Sequence, residues 1–230
     1  MSLSLFRKKG VQEVVSHYEN NTVKEKKTYV DGKLHGDYVS YYDNGQVMLK
    51  LHYEKGLREG EAVSYYKNGQ IREKGTFRKD RLEGEYLSWY ENGQVKEREF
   101  YKDGKPDGPY ILYLQSGQVK EEENFLDGKF HGPYVSYYKT GEVREKGFFQ
   151  NDKREGEFVS YYRNGKIRAK ALYRNDRLVE EFKTFDREGR LLTGEGKEDE
   201  EAAIVEEEAI EEKNKEFDDM LKSLKASEEE

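Results

Sequence analysis

The 230-residue chain has no cysteine, three prolines, three methionines and one tryptophan, and it has no apolar run of membrane-spanning length. Without cysteine there are no disulfides and no thiolate metal sites, so cysteine usage leaves the redox compartment open. The four histidines are too few and too scattered to supply a replacement ligand set. Leu3, Leu5 and Phe6, followed by Arg7-Lys8-Lys9, make no signal-peptide apolar region. As written, the chain reads as cytoplasmic; removal of a leader would make it secreted or cell-surface. Only 34% of residues are hydrophobic while 39% are charged, which excludes one thick aliphatic core.

Rings and glycines are abundant instead: 19 Tyr, 11 Phe and 22 Gly. Amphipathic rings suit a thin sheet, because they cover backbone while keeping a hydroxyl wet. The net charge of −7 divides unevenly. Residues 195–230 hold 16 Asp/Glu against 5 Lys, and the remainder of the chain is slightly basic.

Seven steps ending in glycine recur at a spacing of 24: Asn44-Gly45, Asn68-Gly69, Asn92-Gly93, Ser116-Gly117, Thr140-Gly141, Asn164-Gly165 and Glu188-Gly189. Asn-Gly between strand-like runs predicts a type I′ hairpin turn with φ > 0 at both residues. A second turn falls at Gly32, Gly56, Asp80, Gly104, Gly128, Asp152 and Asp176, where only Gly or Asp occurs, as a left-handed position requires. Each unit is then two strands and two turns, opening at Gly36, Gly60, Gly84, Gly108, Gly132 and Gly156. Degenerate copies lie around Ser16-His17-Tyr18 and at Glu188-Gly189, as caps do in repeat arrays. The expected fold is all-β, an extended antiparallel meander of roughly fourteen to sixteen strands. It divides into an N-terminal segment (1–10), an array of about seven to eight units (11–194) and an acidic tail (195–230).

A two-residue turn sets the faces. Tyr42 is expected opposite Val47 and Tyr41 opposite Met48, so that one face, the inward one, carries Tyr38, Ser40, Tyr42, Val47 and Tyr53 with their equivalents. On the other face Tyr65 is expected opposite Arg72, Trp89 opposite Lys96, Tyr113 opposite Lys120, Tyr137 opposite Arg144, and Tyr161 opposite Arg168. This ladder of aromatic–cation pairs is the candidate partner-binding surface.

The recurring pattern Gly-x-Tyr-x-x-Tyr-Tyr-x-Asn-Gly-Gln-Val-(Arg/Lys)-Glu-Lys, as from Gly84 or, with small changes, from Gly156, resembles the bacterial variant of the MORN repeat found in the YwqK family of antitoxin-like proteins. The resemblance spans roughly residues 11–194. It implies an all-β hairpin array used for binding or as a scaffold, with a toxin-neutralising role in some relatives and lipid-head-group binding proposed for eukaryotic ones. The departures are Ser116, Thr140 and Glu188 in place of Asn, Ala62 in place of an aromatic, and the acidic extension.

Catalysis needs an acid, base or nucleophile placed once, whereas every reactive side chain here recurs by translation. No enzyme activity, cofactor or metal is expected. His35 and His131 share one slot four units apart and read as turn-flanking surface residues. Glu73, Glu97, Glu121 and Glu145 form a further ladder on the aromatic face, with neighbours roughly 9.6 Å apart. That is wide for a glycosidase pair, and they read as partners of tyrosine hydroxyls and cations. A body of such low net charge gives no strong nucleic-acid signal. The ring stripe is also similar to that of cell-wall-binding repeats, but those are Trp-rich and this chain has Trp89 alone.

In the tail, Ala203, Ile210, Phe217 and Leu224 recur every seven residues and predict a helix with one narrow apolar face, expected to pack over the last strand's open edge. The function expected of the whole is a non-enzymatic protein–protein interaction scaffold. The alternatives are an antitoxin or immunity protein that binds a toxin, and a cell-surface carbohydrate- or lipid-binding repeat protein.

Overall fold

The computed structural model describes residues 3–8 and 10–192, residues 3–8 as backbone alone; the tail expected to be helical lies outside the described residues. Every strand belongs to one open antiparallel sheet of 23 strands. Sixteen of these have three or more residues, within the expected range, and they pair in chain order as a meander. In the unit opening at Gly36, strand Gly36–Tyr41 turns into Val47–Glu54, which turns again into the short strand Leu57–Arg58 before Gly60–Tyr65 begins the next unit. The sheet starts earlier than residue 11, because Leu3–Lys8 pairs with Val11–His17.

The first turn differs from expectation, whereas the second has the left-handed residues expected of it. At Asn44-Gly45 only the glycine has positive φ, 84°. Gly45 N–H donates to the Tyr42 carbonyl and Tyr42 N–H to the Gln46 carbonyl, which is a type I turn followed by a glycine bulge. Asn44 keeps negative φ because its Oδ1 accepts the Gln46 N–H at 3.0 Å, a local side-chain turn. The type I′ geometry lies at the second turn, where Asp31 and Gly32 have φ of 49° and 79°, and Lys79 and Asp80 have 50° and 67°.

A second irregularity follows in the same hairpin. Tyr41 pairs with Val47 and Ser40 with Leu49, leaving Met48 as an extra, unpaired residue. Beyond it the expected register holds, with Tyr38 opposite Leu51 and Gly36 opposite Tyr53. The bulge puts the Val47 series beside Tyr41, and Ile71 is 37% exposed, so these residues do not belong to the inward row.

The buried face is a single layer of rings and small side chains. Tyr53, Phe77, Tyr86, Tyr101, Tyr110, Tyr134 and Phe158 are all buried. Their rings meet edge to face, as in Tyr86–Tyr101 at 5.9 Å and Phe158–Tyr173 at 5.4 Å between centroids. Ser40, Ser64, Ser88 and Ser136 line the adjacent row.

Each unit is fastened to the next by side chains as well as by strand pairing. The second tyrosine of each Tyr-Tyr or Trp-Tyr step donates its hydroxyl to a backbone carbonyl one unit on: Tyr42 to Tyr65, Tyr66 to Trp89, Tyr90 to Tyr113, Tyr138 to Tyr161 and Tyr162 to Phe185, at 2.6–2.8 Å. The turn asparagine adds a parallel tie, Asn68 Nδ2 to the Glu91 carbonyl and Asn92 Nδ2 to the Gln115 carbonyl. Leu114 and Ser116 replace both donors in one unit. At the opposite edge Asp80 Oδ1 accepts the Arg58 N–H and Nε–H, tying successive type I′ turns.

Candidate binding face

The division of labour within each aromatic pair defines the site. The second ring of the pair is tied into the array through its hydroxyl, while the first belongs to the opposite face of the sheet. Tyr41, Tyr65, Trp89, Tyr113, Tyr137 and Tyr161 form this row, all half-buried. Two strands separate neighbouring members, so they repeat about every 9.6 Å.

The expected cation partners are displaced. Tyr65 pairs with Ile71, Trp89 with Val95, Tyr113 with Val119, Tyr137 with Val143 and Tyr161 with Ile167. Arg72, Lys96, Lys120, Arg144 and Arg168 are the extra residues of the bulges and oppose no ring. Three of them serve the buried face. Arg72 Nε lies 3.2 Å from Glu73, Lys96 Nζ lies 3.4 Å from Glu97, and Arg144 Nε donates to Ser136 Oγ at 3.4 Å. Lys120 and Arg168 are exposed.

The rings are nevertheless covered by cations, which come from the preceding hairpin. Lys26 Nζ lies 5.8 Å from the Tyr41 ring centroid, Lys50 Nζ 5.7 Å from Tyr65 and Lys146 Nζ 5.4 Å from Tyr161. The corresponding residues for Trp89 and Tyr113 are Lys74 and Arg98, which pair with Glu61 at 2.6 Å and Glu85 at 2.7 Å. Sequence reading missed this set because it looked for partners within one hairpin; the signal was the lysine three residues after Val47, Ile71 and Val143.

On the buried face Glu73 and Glu97 have the expected cations beside them, Arg72 and Lys96, but serine hydroxyls stand where tyrosine hydroxyls were expected. Ser64 Oγ donates to Glu73 and Ser88 Oγ to Glu97, at 3.2 and 3.0 Å. Glu99, absent from the expected row, is buried and accepts the Tyr101 hydroxyl at 2.9 Å. Burial, reinforced by these carboxylates, pushes the phenols of Tyr86, Tyr101, Tyr110 and Tyr134 far above the ordinary range. Phenols held neutral in this way act as donors and packing surfaces, which is structural work.

His35 and His131 are separated as expected. In this slot His35 Nδ1 accepts the Lys55 N–H at 3.5 Å and Glu59 the Lys79 N–H at 3.0 Å, whereas His131 is half-buried with its Nδ1 unpartnered, which departs from the expected surface role. Among the described residues no group of three or more His, Asp or Glu side chains is placed to hold a metal ion. No helix among them is long and apolar enough to cross a membrane.

A single open sheet of translated hairpins, with one ring per unit on a solvent-facing row, defines a repeat-based binding or scaffold protein. The MORN repeat variant matches six tandem stretches, residues 34–55, 58–79, 82–103, 106–127, 130–151 and 154–175, more than half of the chain. The chain belongs to the MORN repeat variant family. No curated protein matches it. Among solved structures, a porin-like protein from Bacteroides uniformis is similar over 78% of this chain and 91% of its own, at 6% identity and a TM-score of 0.21.

Proposed function

We propose that the protein is a non-enzymatic scaffold that binds another protein along the row Tyr65, Trp89, Tyr113, Tyr137 and Tyr161. The observation that carries this reading is that, among the described residues, these side chains do not bond the backbone of the next repeat as Tyr42, Tyr66, Tyr90, Tyr138 and Tyr162 do; Tyr137 and Tyr161 reach only the side chains of Glu122 and Lys146 on the same outer face. A regular row of rigid amphipathic rings offers large contact area at low entropic cost, the property that enriches Tyr and Trp at protein interfaces. The bulged cations Arg72, Lys96 and Arg144 are directed to the buried face, so the binding residues are the rings and the covering Lys50 and Lys146.

The test is affinity capture from the native organism's lysate and secreted fraction, with the intact protein beside a Trp89/Tyr113/Tyr137→Ser variant of unchanged circular dichroism. A protein retained by the first and lost by the second supports the reading. A toxin among the retained proteins would make the scaffold an antitoxin. Equal retention by both moves the interface to the turns or edges.

A further inference from the structure

The row of side chains that covers the outer rings runs Lys26, Lys50, Lys74, Arg98, Glu122, Lys146, and one member has the opposite sign. Glu122 occupies the lysine slot between Ile111, its partner on one side, and Val135, its partner on the other. Tyr113 and Tyr137 follow these two residues on the same face, so the carboxylate sits diagonally between two rings. Where Lys146 lies over Tyr161, Glu122 instead accepts a hydrogen bond from the Tyr137 hydroxyl.

The neighbouring charges do not neutralise it. Arg98 and Lys146 flank Glu122 in the same row, beyond Ile111 and Val135, about two strand spacings or 9.6 Å away along the sheet. Arg98 is paired with Glu85 at 2.7 Å, and Lys146 lies over Tyr161. No ion pair forms to Glu122 among the described residues. The first-strand acid that pairs with the cation in other units, as Glu61, Glu85 and Glu157 do, is replaced here by Pro109 and in the next unit by Pro133. Opposite Pro133 stands Phe148, 41% exposed, and opposite Pro109 stands Asn124. The middle of the outer face therefore lacks the acid–cation pairs of the neighbouring units and has one carboxylate set between two rings.

The chain shows internally what such a setting holds. Arg58 is gripped between the Phe77 ring, 4.3 Å from its centroid, and the Asp80 carboxylate at 3.0 Å, and its side chain is only 13% exposed. Arg154 repeats this between Tyr173 at 4.2 Å and Asp176 at 3.3 Å. Glu122 with Tyr113 and Tyr137 offers the same two components, ring and carboxylate, on neighbouring strands.

We propose that Glu122, Tyr113 and Tyr137 form a receiving site for an arginine side chain of the partner protein. Guanidinium is the matching chemistry, since it stacks on rings and bonds a carboxylate with two parallel N–H donors. The inference rests on the outer face being the protein-binding face, and it names the residue type that face selects.

The experiment is a nuclear magnetic resonance titration of ring-labelled tyrosine in the full chain. The probes are N-acetyl-arginine amide, its uncharged analogue N-acetyl-citrulline amide, and phosphocholine. The expected result is saturable shifts of the Tyr113 and Tyr137 rings with the arginine amide alone, weakened about tenfold in Glu122→Gln. Glu122→Lys, which restores the residue of the neighbouring units, is expected to fold normally and abolish the response. No shift with the arginine amide, shifts that persist in Glu122→Gln, or a response to phosphocholine in its place overturns the proposal. In the capture experiment, a partner lost by the ring variant but kept by Glu122→Gln sinks this inference alone, whereas a partner kept by the ring variant sinks the binding-face reading itself.

Discussion

The Tyr66 hydroxyl donates to the backbone carbonyl of Trp89 at 2.6 Å, so a structural tyrosine of one unit holds in place the backbone that carries a candidate binding ring of the next. The same bond from Tyr90 to Tyr113 and from Tyr138 to Tyr161 makes the outer row dependent on the inner ties.

Tyr66→Phe keeps the ring and removes only this donor. It is expected to cost about 1 kcal/mol, the usual net value of a protein hydrogen bond, read as a lower urea midpoint. Leu114→Tyr, which offers a hydroxyl to the Tyr137 carbonyl where no tyrosine of the described residues supplies the tie, is expected to raise the midpoint. A Leu114→Tyr protein no more stable than the parent would show that Leu114 packing outweighs the tie.

Gly147 pairs with Tyr134, and a methyl group there would overlap the Phe158 ring. Gly147→Ala is expected to destabilise by about 2–3 kcal/mol, since the ring must leave its position on the buried face. In a Phe158→Leu background the same alanine should cost clearly less. Gly75→Ala is milder, because its methyl would stand 3.1 Å from Leu82 and 3.2 Å from Tyr86, within reach of small adjustments. Thermal melts of the single and double variants check the order.

Asp80 combines a positive φ of 67° with a carboxylate that accepts two N–H donors from Arg58. Asp80→Ala loses the bonds and keeps the strained backbone, for an expected loss of about 2–3 kcal/mol. Asp80→Gly loses only the bonds and should fall between it and the parent. Glycine occupies this position at Gly32, Gly56 and Gly104, which is why the backbone half of the effect can be relieved. Chemical denaturation of the two variants side by side separates the terms.

Alkaline pH should unfold the array. Burial, with Glu25 as hydrogen-bond acceptor, pushes the Tyr38 phenol from 10.0 up to about 12, and the phenols of Tyr86, Tyr101, Tyr110 and Tyr134 go further in the same direction. A folded value above the unfolded one means that this stabilisation is complete below about pH 10 and is lost as pH rises towards and through the folded value. Phenolate absorbance should therefore show a group of tyrosines that ionises only with loss of ellipticity. A single smooth titration of all 19 tyrosines near pH 10 would contradict the burial described here.

Much of this architecture was legible because the period is unbroken. The 24-residue spacing and the alternation around Tyr38, Ser40 and Tyr53 placed the strands, and the register holds from Ser40–Leu49 outward. The turn types were not legible, since Asn-Gly satisfies both a type I′ turn and the third and fourth positions of a type I turn with a glycine bulge. The bulge at Met48 was hidden as well: one extra residue beside the turn recurs in every unit and so leaves the 24-residue period unchanged. From that one residue followed the misplacement of Arg72, Lys96, Lys120, Arg144 and Arg168. The ring row itself was readable, whereas its covering lysines required knowing which hairpins lie side by side.

Each tyrosine tie links a residue to the one 23 places later, wherever in the array it occurs. The longest link a unit must make is thus independent of how many units there are. A gene encoding this chain can gain or lose a 24-residue module by duplication or deletion without creating a new kind of junction. Array length is then free to follow the size of whatever the face must span.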